Sequence, residues 1–290
     1  MSTQEHSPKF YETMSFKRRM KKMFVLLLLI LGSIVILSPV WWMISTSLKT
    51  PGEIAQYPPS FLPDSFQWSN YVKAWQTAPF TRWALNTLFI TVCVVIGNVV
   101  VNSFVAYGFA KIRFRGKNLL FTLVLSTMLI PGFVMMIPQY MLFSKLHWIN
   151  TYLPLIVPAF FGNAFFIFLL RQFFKTIPDE MIEAAKIDGA NHFQIWWKLA
   201  MPLMKPAVIT VAILSFNGAW NDFLGPLLYI NDEKLYTLQI GLQTFKGTVQ
   251  TQWHYLMSAS VLVLLPVILI FFFFQRYFIE GSNITTGTKG

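Results

Sequence analysis

Apolar and polar positions in this chain fall into blocks, not into the short alternations of surface helices or strands. Six stretches, roughly 24–47, 83–109, 118–139, 151–174, 204–230 and 256–278, are almost wholly apolar. Each reaches or exceeds the about 20 residues that take an α-helix across a bilayer. The pattern predicts an all-α membrane protein with six transmembrane helices. Its parts are an N-terminal tail (1–23), a six-helix domain (24–278) with a polar connection at 178–203, and a C-terminal tail (279–290). This leaves no room for a separate soluble domain.

Composition agrees: 55% of residues are hydrophobic and only 12% charged, a balance hard to keep in water. The formal net charge is +11, but the basic residues flank apolar blocks instead of lining a polar surface, so no nucleic acid is expected as a partner. Their distribution sets a topology, because loops on the cytoplasmic side carry excess Lys and Arg. One side holds Lys9, Lys17, Arg18, Arg19, Lys21 and Lys22; then Lys111, Arg113, Arg115 and Lys117; then Arg171, Lys175, Lys186, Lys198 and Lys205; and finally Arg276 and Lys289. The other side has only Lys49, Lys73, Arg82, Lys145, Lys234 and Lys246, spread over longer loops. Both termini and the connection at 178–203 are therefore expected in the cytoplasm. Residues 24–44 are too long for an ordinary signal-peptide core and no A-x-A site follows, so the first helix is expected to be retained.

Little catalytic chemistry is visible. Cys93 is the only cysteine, so no intrachain disulfide or cysteine metal cluster can form. His6, His147, His192 and His254 lack any zinc or metalloprotease spacing. Gly116-Lys117 has no glycine five positions before Gly116 and is followed by Asn118, so it is not a P-loop. No enzyme, metal site or cofactor is expected in this chain, and any ATP-driven work has to come from another subunit.

The connection PDEMIEAAKIDGANHFQIWWKLAMPLMKPA, residues 178–207, is different in kind. Pro178 suits the first turn of a helix, and Asp179 and Glu180 favour the positive end of its dipole. A short helix through Ala185 is expected to end at a left-handed Gly189. Asn191 then caps a second helix with an apolar surface of Phe193, Ile195, Trp196 and Trp197. Small residues at 184, 185, 189 and 190 would let this helix–turn–helix elbow enter a partner's cleft closely.

The run Glu183-Ala184-Ala185, then Asp188-Gly189-Ala190, then Ile195 and Pro202, resembles the cytoplasmic EAA loop of permease subunits in bacterial binding-protein-dependent ABC importers of the maltose type. Its visible departure is Met201, where the family often has Leu, a volume-conserving change. The outer loop SLKTPGEIAQYPPSFLPDSFQWSNY, the Trp-Asn-Asp run at 220–222 and the closing RYFIEGSNITTGTKG are similar to elements of carbohydrate permeases. The resemblance implies a subunit of the bacterial inner membrane whose elbow couples to an ATPase through Glu183, Ala184, Ala185, Asp188, Gly189, Ala190 and Pro202. The partners it implies are a second homologous permease, two ATP-binding subunits that hold ATP and Mg, an extracytoplasmic solute-binding protein, a sugar substrate and membrane lipid.

Polar residues inside the apolar blocks are the remaining candidates. Asn98 and Asn102 share a helix face and either line a polar path or act as interhelical glue. Asn217, Trp220, Asn221 and Asp222 form either a surface for sugar hydroxyls or an interfacial tryptophan with a solvated acid at a helix end. Likewise, the aromatic loop 49–82 is a docking surface, a lid or a connector. An ion-coupled secondary transporter is the alternative function; it needs buried charged relays, and Asp222 alone sits well inside a block. A membrane hydrolase lacks a nucleophile, base or metal constellation.

Overall fold

Backbone that crosses lipid has to satisfy its own hydrogen bonds, and the apolar blocks accordingly fold as helices that break only where proline, glycine or a capping side chain intervenes. The computed structural model of the chain describes residues 10–247 and 251–286, with side chains over 18–247 and 251–275. The first nine residues of the expected N-terminal tail and the last four of the C-terminal tail lie outside the described residues. In chain order the helices are α1 (Phe10–Ser47), α2 (Pro51–Ala55), α3 (Ser69–Gln76), α4 (Phe80–Lys111), α5 (Lys117–Ser126), α6 (Gly132–Lys145), α7 (Leu153–Ile156) and α8 (Ala164–Lys175). There follow α9 (Asp179–Ile187), α10 (His192–Ile195), α11 (Met201–Leu203), α12 (Lys205–Trp220), α13 (Leu224–Tyr229), α14 (Leu238–Gly241) and α15 (Trp253–Thr286). Among the described residues there is no strand, only an isolated bridge between Lys246 and Thr251. The all-α class stands.

Four helical segments are long and apolar enough to span a membrane, Arg18–Ser47, Phe80–Lys111, Leu153–Lys175 and Trp253–Gln275, and two bent pairs raise the number to as many as six. Three expected blocks differ in detail. The third is not one straight helix: Lys117–Leu129 and Gly132–Lys145 meet at 98°, because Pro131 forces Ile130 into an extended conformation and ends the first half. The fourth starts as α7 and a 3-10 turn over Val157–Phe160, turns at Gly162 (φ +91°), and resumes as α8 under an Asn163 cap. The fifth stops at Trp220, and its expected last third is a separate helix, α13, opened by the Asp222 carboxylate accepting from the Gly225 N–H at 3.1 Å. Helix α15 runs to Thr286, beyond the expected boundary at 278.

Helix α4 is the central mast, with α8 and α12 packed on it and α15 packed on α12; α1 lies outside against α15. Two cores flank the mast. At one end, the elbow end, Tyr107, Phe174, Ile177, Ile182, Ile195, Trp196 and Val211 cluster. At the opposite end Phe80, Trp83, Trp220, Leu238, Phe245 and Leu256 do the same.

Candidate functional site

Two features stand out, the elbow and a polar cavity, and α4 connects them. Helix α9 begins one residue later than expected, with Pro178 as its N-cap, and runs to Ile187 instead of Ala185. Gly189 has φ +84°, a conformation that glycine adopts without strain, and its N–H reaches the Lys186 carbonyl at 3.0 Å. The Asn191 side chain accepts from the Gln194 N–H and the Gln194 side chain accepts from the Asn191 N–H, each at 2.9 Å, a reciprocal cap that opens α10. Trp196–Ala200 is then π-helical. In an α-helix Ile195, Trp196 and Ala200 would spread over roughly 140°; the wider π turn narrows that arc, and all three are buried. The segment His192–Leu203 meets α12 at 85°, so the elbow lies across the end of the bundle.

The elbow is half anchored and half free. Ile182, Ile195 and Trp196 enter the core, whereas Phe193 and Trp197 are exposed. Glu183, Ala184, Asp188, Gly189 and Pro202 are exposed, and Ala185 and Ala190 half-buried. Ile187, at 86% exposure, projects at the tip beside Gly189. The residues of the EAA-like pattern thus form an accessible small-residue surface with apolar side chains around it.

Two polar links tie the elbow to α4. Lys111 bonds Asp179 Oδ1 at 2.6 Å and also the Ile177 carbonyl. That hydrogen bond, with the Lys111 charge, holds the Asp179 carboxyl below the usual aspartate range. Tyr107 Oη lies 3.1 Å from His192 Nδ1. Burial, aided by Lys186, lowers the His192 pKa, so at neutral pH its ring is uncharged; with its proton on Nε2 it accepts the phenol hydrogen at Nδ1.

Farther along α4, a cavity of about 310 Å³ opens between α4, α8, α12, α13 and α14, with Thr87, Asn98, Asn163, Ser215, Asp222 and Thr237 as its polar lining. Asn98 Nδ2 donates to Ser215 Oγ at 2.8 Å. Asn102 is fully buried: its amide donates to the Asn98 carbonyl at 2.6 Å and its oxygen accepts from the Asn163 N–H at 2.6 Å. The structure therefore brings Asn98 and Asp222 to one cavity and makes Asn102 a brace between α4 and the start of α8. Thr237 Oγ1 is buried without a protein partner. Sequence reasoning missed Thr87, Asn163, Ser215 and Thr237, which come from four separate segments; Asn163, in the N-cap position before Ala164, carried the only local signal.

The Asn217–Asp222 group divides. Asn217 and Asn221 are exposed and bonded to each other, Asn221 Nδ2 to Asn217 Oδ1 at 2.5 Å, and Gln239 reaches Asn221 Oδ1 at 3.3 Å. Trp220 turns the other way. It is buried, stacks on Phe216 and donates to the Val263 carbonyl at 3.0 Å. It packs α12 on α15 and does not form an aromatic platform beside Asn221.

A family model described as "Binding-protein-dependent transport system inner membrane component" matches residues 99–281, which include the elbow and most of the cavity. The chain is 33% identical over 288 residues to the arabinooligosaccharides transport system permease protein AraQ of Bacillus subtilis, covering 98% of this chain and 99% of that protein. It is 30% identical over 272 residues to the sn-glycerol-3-phosphate transport system permease protein UgpE of Yersinia pestis, with 91% and 96% covered. A solved chain from "a bacterial ABC transporter involved in the import of the acidic polysaccharide alginate" matches with a TM-score of 0.81 and 25% identity over 95% of this chain and all of that one. Members of the family are transport permeases and not enzymes. With its apolar spans and its EAA elbow, this multi-pass membrane chain belongs to the inner-membrane components of binding-protein-dependent transport systems.

Proposed function

We propose that the chain is one of two homologous permease subunits in a bacterial ABC importer that carries a sugar or oligosaccharide inward. Two ATP-binding subunits supply the energy and an extracytoplasmic solute-binding protein delivers the substrate. The observation that carries this reading is the elbow: an exposed small-residue tip, set across the bundle end and tied by Tyr107 and Lys111 to the same helix that lines the polar cavity. Glu183, Ala184, Ala185, Asp188, Gly189, Ala190 and Pro202 form the coupling surface. Closure of the ATPase pair pushes the elbow, α4 moves with it, and the cavity alternates its access. The Lys and Arg distribution supports a cytoplasmic elbow and cytoplasmic termini.

For the path we assign Asn98, Asn217, Asn221 and Asp222, with Asn102 and Trp220 supporting them from behind. Exposed amides at the membrane depth of α12 need water, substrate or a partner subunit to face, and a second permease enclosing a path against Asn217 and Asn221 meets that need. Hydroxyls and amides suit polyhydroxylated cargo, in keeping with the arabinooligosaccharides and the alginate that two of the similar transport systems carry. The family match lends no support to the ion-coupled alternative.

Reconstitution with the partner subunits in vesicles tests the reading. Loaded binding protein should stimulate ATP hydrolysis together with sugar uptake; uptake driven by an ion gradient without ATP would refute it. Cysteines introduced as Ala190→Cys and Asp64→Cys, in a Cys93→Ser background, should react with impermeant reagent from the cytoplasmic and outer faces respectively. Reversed labelling overturns the orientation.

A further inference from the structure

The turn between α4 and α5 and the end of α8 gather six cations, Lys111, Arg113, Arg115, Lys117, Arg171 and Lys175, and Asp179 is the single carboxylate ion-paired to them among the described residues. Three of the six have structural partners. Lys111 binds Asp179; Lys117 caps the carbonyls of Ala110 and Ile112 at 3.2 and 2.9 Å; Arg171 Nε donates to the Phe109 carbonyl at 3.1 Å with its guanidinium 3.9 Å from the centre of the Phe121 ring. Lys117 and Arg171 thereby satisfy carbonyls that the end of α4 leaves open. Arg113, Arg115 and Lys175 are exposed and have no ion-pair partner among the described residues. With six cations and Asp179 as the one carboxylate ion-paired to them among the described residues, the cluster keeps a net positive charge.

This charge borders a cleft of about 350 Å³ lined by Arg113, Phe114, Gly116, Lys117, Asn118 and Leu119. Gly116, at φ +80°, precedes α5 and offers no capping side chain, so the first N–H groups of that helix open here. Apolar side chains stand beside the cations: Phe114, Leu119 and Leu120 are all exposed, Leu119 at 66%. Positive charge and open N–H groups on one side, and exposed apolar groups at the end of two spanning helices on the other, match an amphiphile.

We propose that this cleft binds an anionic phospholipid, its phosphate held by Arg113 and the first turn of α5 in the field of Arg115 and Lys175, and its acyl chains laid along Phe114 and Leu119. A basic cluster at the end of a spanning helix attracts acidic headgroups by this physics. A free phosphate ion would gain nothing from the apolar half of the site.

Native mass spectrometry of the full-length chain in detergent, titrated with phosphatidylglycerol or phosphatidylcholine, provides the test. Phosphatidylglycerol should be retained preferentially. The triple change Arg113→Gln, Arg115→Gln, Lys175→Gln should weaken it roughly tenfold to a hundredfold. Arg113→Lys with Arg115→Lys should keep most of the binding. The outer-side triple Lys73→Gln, Arg82→Gln, Lys246→Gln should leave the preference intact and controls for total charge. Equal retention of the two lipids, an unchanged preference in the Gln triple, or displacement of bound lipid by inorganic phosphate at constant ionic strength would each overturn the proposal.

Discussion

The two ends of α4 are anchored by different means. At the end opposite the elbow, Trp83 is fully buried against Phe80, with ring centres 5.0 Å apart, and donates to the Glu233 carbonyl at 2.9 Å. Asn86 binds the carbonyls of Lys234 and Tyr236, and Thr87 accepts from the Leu238 N–H, all at 2.9 Å. A Cβ on Gly241 would collide with the Trp83 ring. At the elbow end Arg171 of α8 donates to the Phe109 carbonyl, while the side-chain ties to the elbow itself are the Lys111–Asp179 pair and the Tyr107–His192 contact, beside an apolar base formed by Ile195 and Trp196. Aromatic packing with uncharged bonds gives a fixed frame, because close-packed interiors have no second arrangement nearby. The ion pair, made through the exposed Asp179, contributes less and can be remade as the elbow moves.

Four substitutions break or sharpen this contrast, from the largest expected effect to the smallest. Trp83→Ala removes a buried indole and its hydrogen bond and should lower stability by about 3–5 kcal/mol, read as a large drop in unfolding temperature in detergent. A drop no greater than that of Tyr107→Phe would erase the contrast. Gly189→Pro cannot adopt φ +84° and loses an N–H donor, a local cost of about 3 kcal/mol or more. Uptake should collapse while membrane insertion persists; near-normal uptake with normal ATPase association would remove the elbow from the mechanism.

Tyr107→Phe deletes only the contact to His192 and should cost about 1 kcal/mol. Its mark should be fewer substrate molecules carried per ATP, with labelling of the Asp64→Cys variant unchanged. Asp179→Asn should have the smallest effect, seen as faster amide exchange over 176–190 at neutral pH. The sign follows from the lowered Asp179 pKa. Its stabilising contribution is complete above the ordinary aspartate value of about 3.9 and is lost as pH falls through the lower folded value. The difference between variant and parent should therefore close only in strong acid; a gap that closes between pH 7 and 5 would point to another group.

The elbow was legible because its determinants are local. Glycine at 189, the Asn191 cap and the acids of the first turn act within one or two helical turns, so their spacing specified the two arms and the turn between them. The π segment was not legible, since it answers the need to bury Ile195, Trp196 and Ala200 together against helices distant in sequence. The cavity was legible in part: Asn98 and Asp222 stand out as polar groups in apolar blocks. Its other walls come from ordinary Ser, Thr and Asn residues, notable only for where the fold brings them.

By itself the sequence determined what depends on composition and short-range spacing: an all-α membrane chain, its apolar blocks and the elbow. Hydrophobic length and local backbone preference act without reference to distant residues. Only the tertiary structure decided which face each polar side chain presents. It turned Trp220 toward α15, closed Asn102 against Asn163 and left Asn217 and Asn221 open. Residues on one helix become a brace, a packing contact or a lining according to the neighbour they meet, and that neighbour can lie 150 residues or more away in the chain.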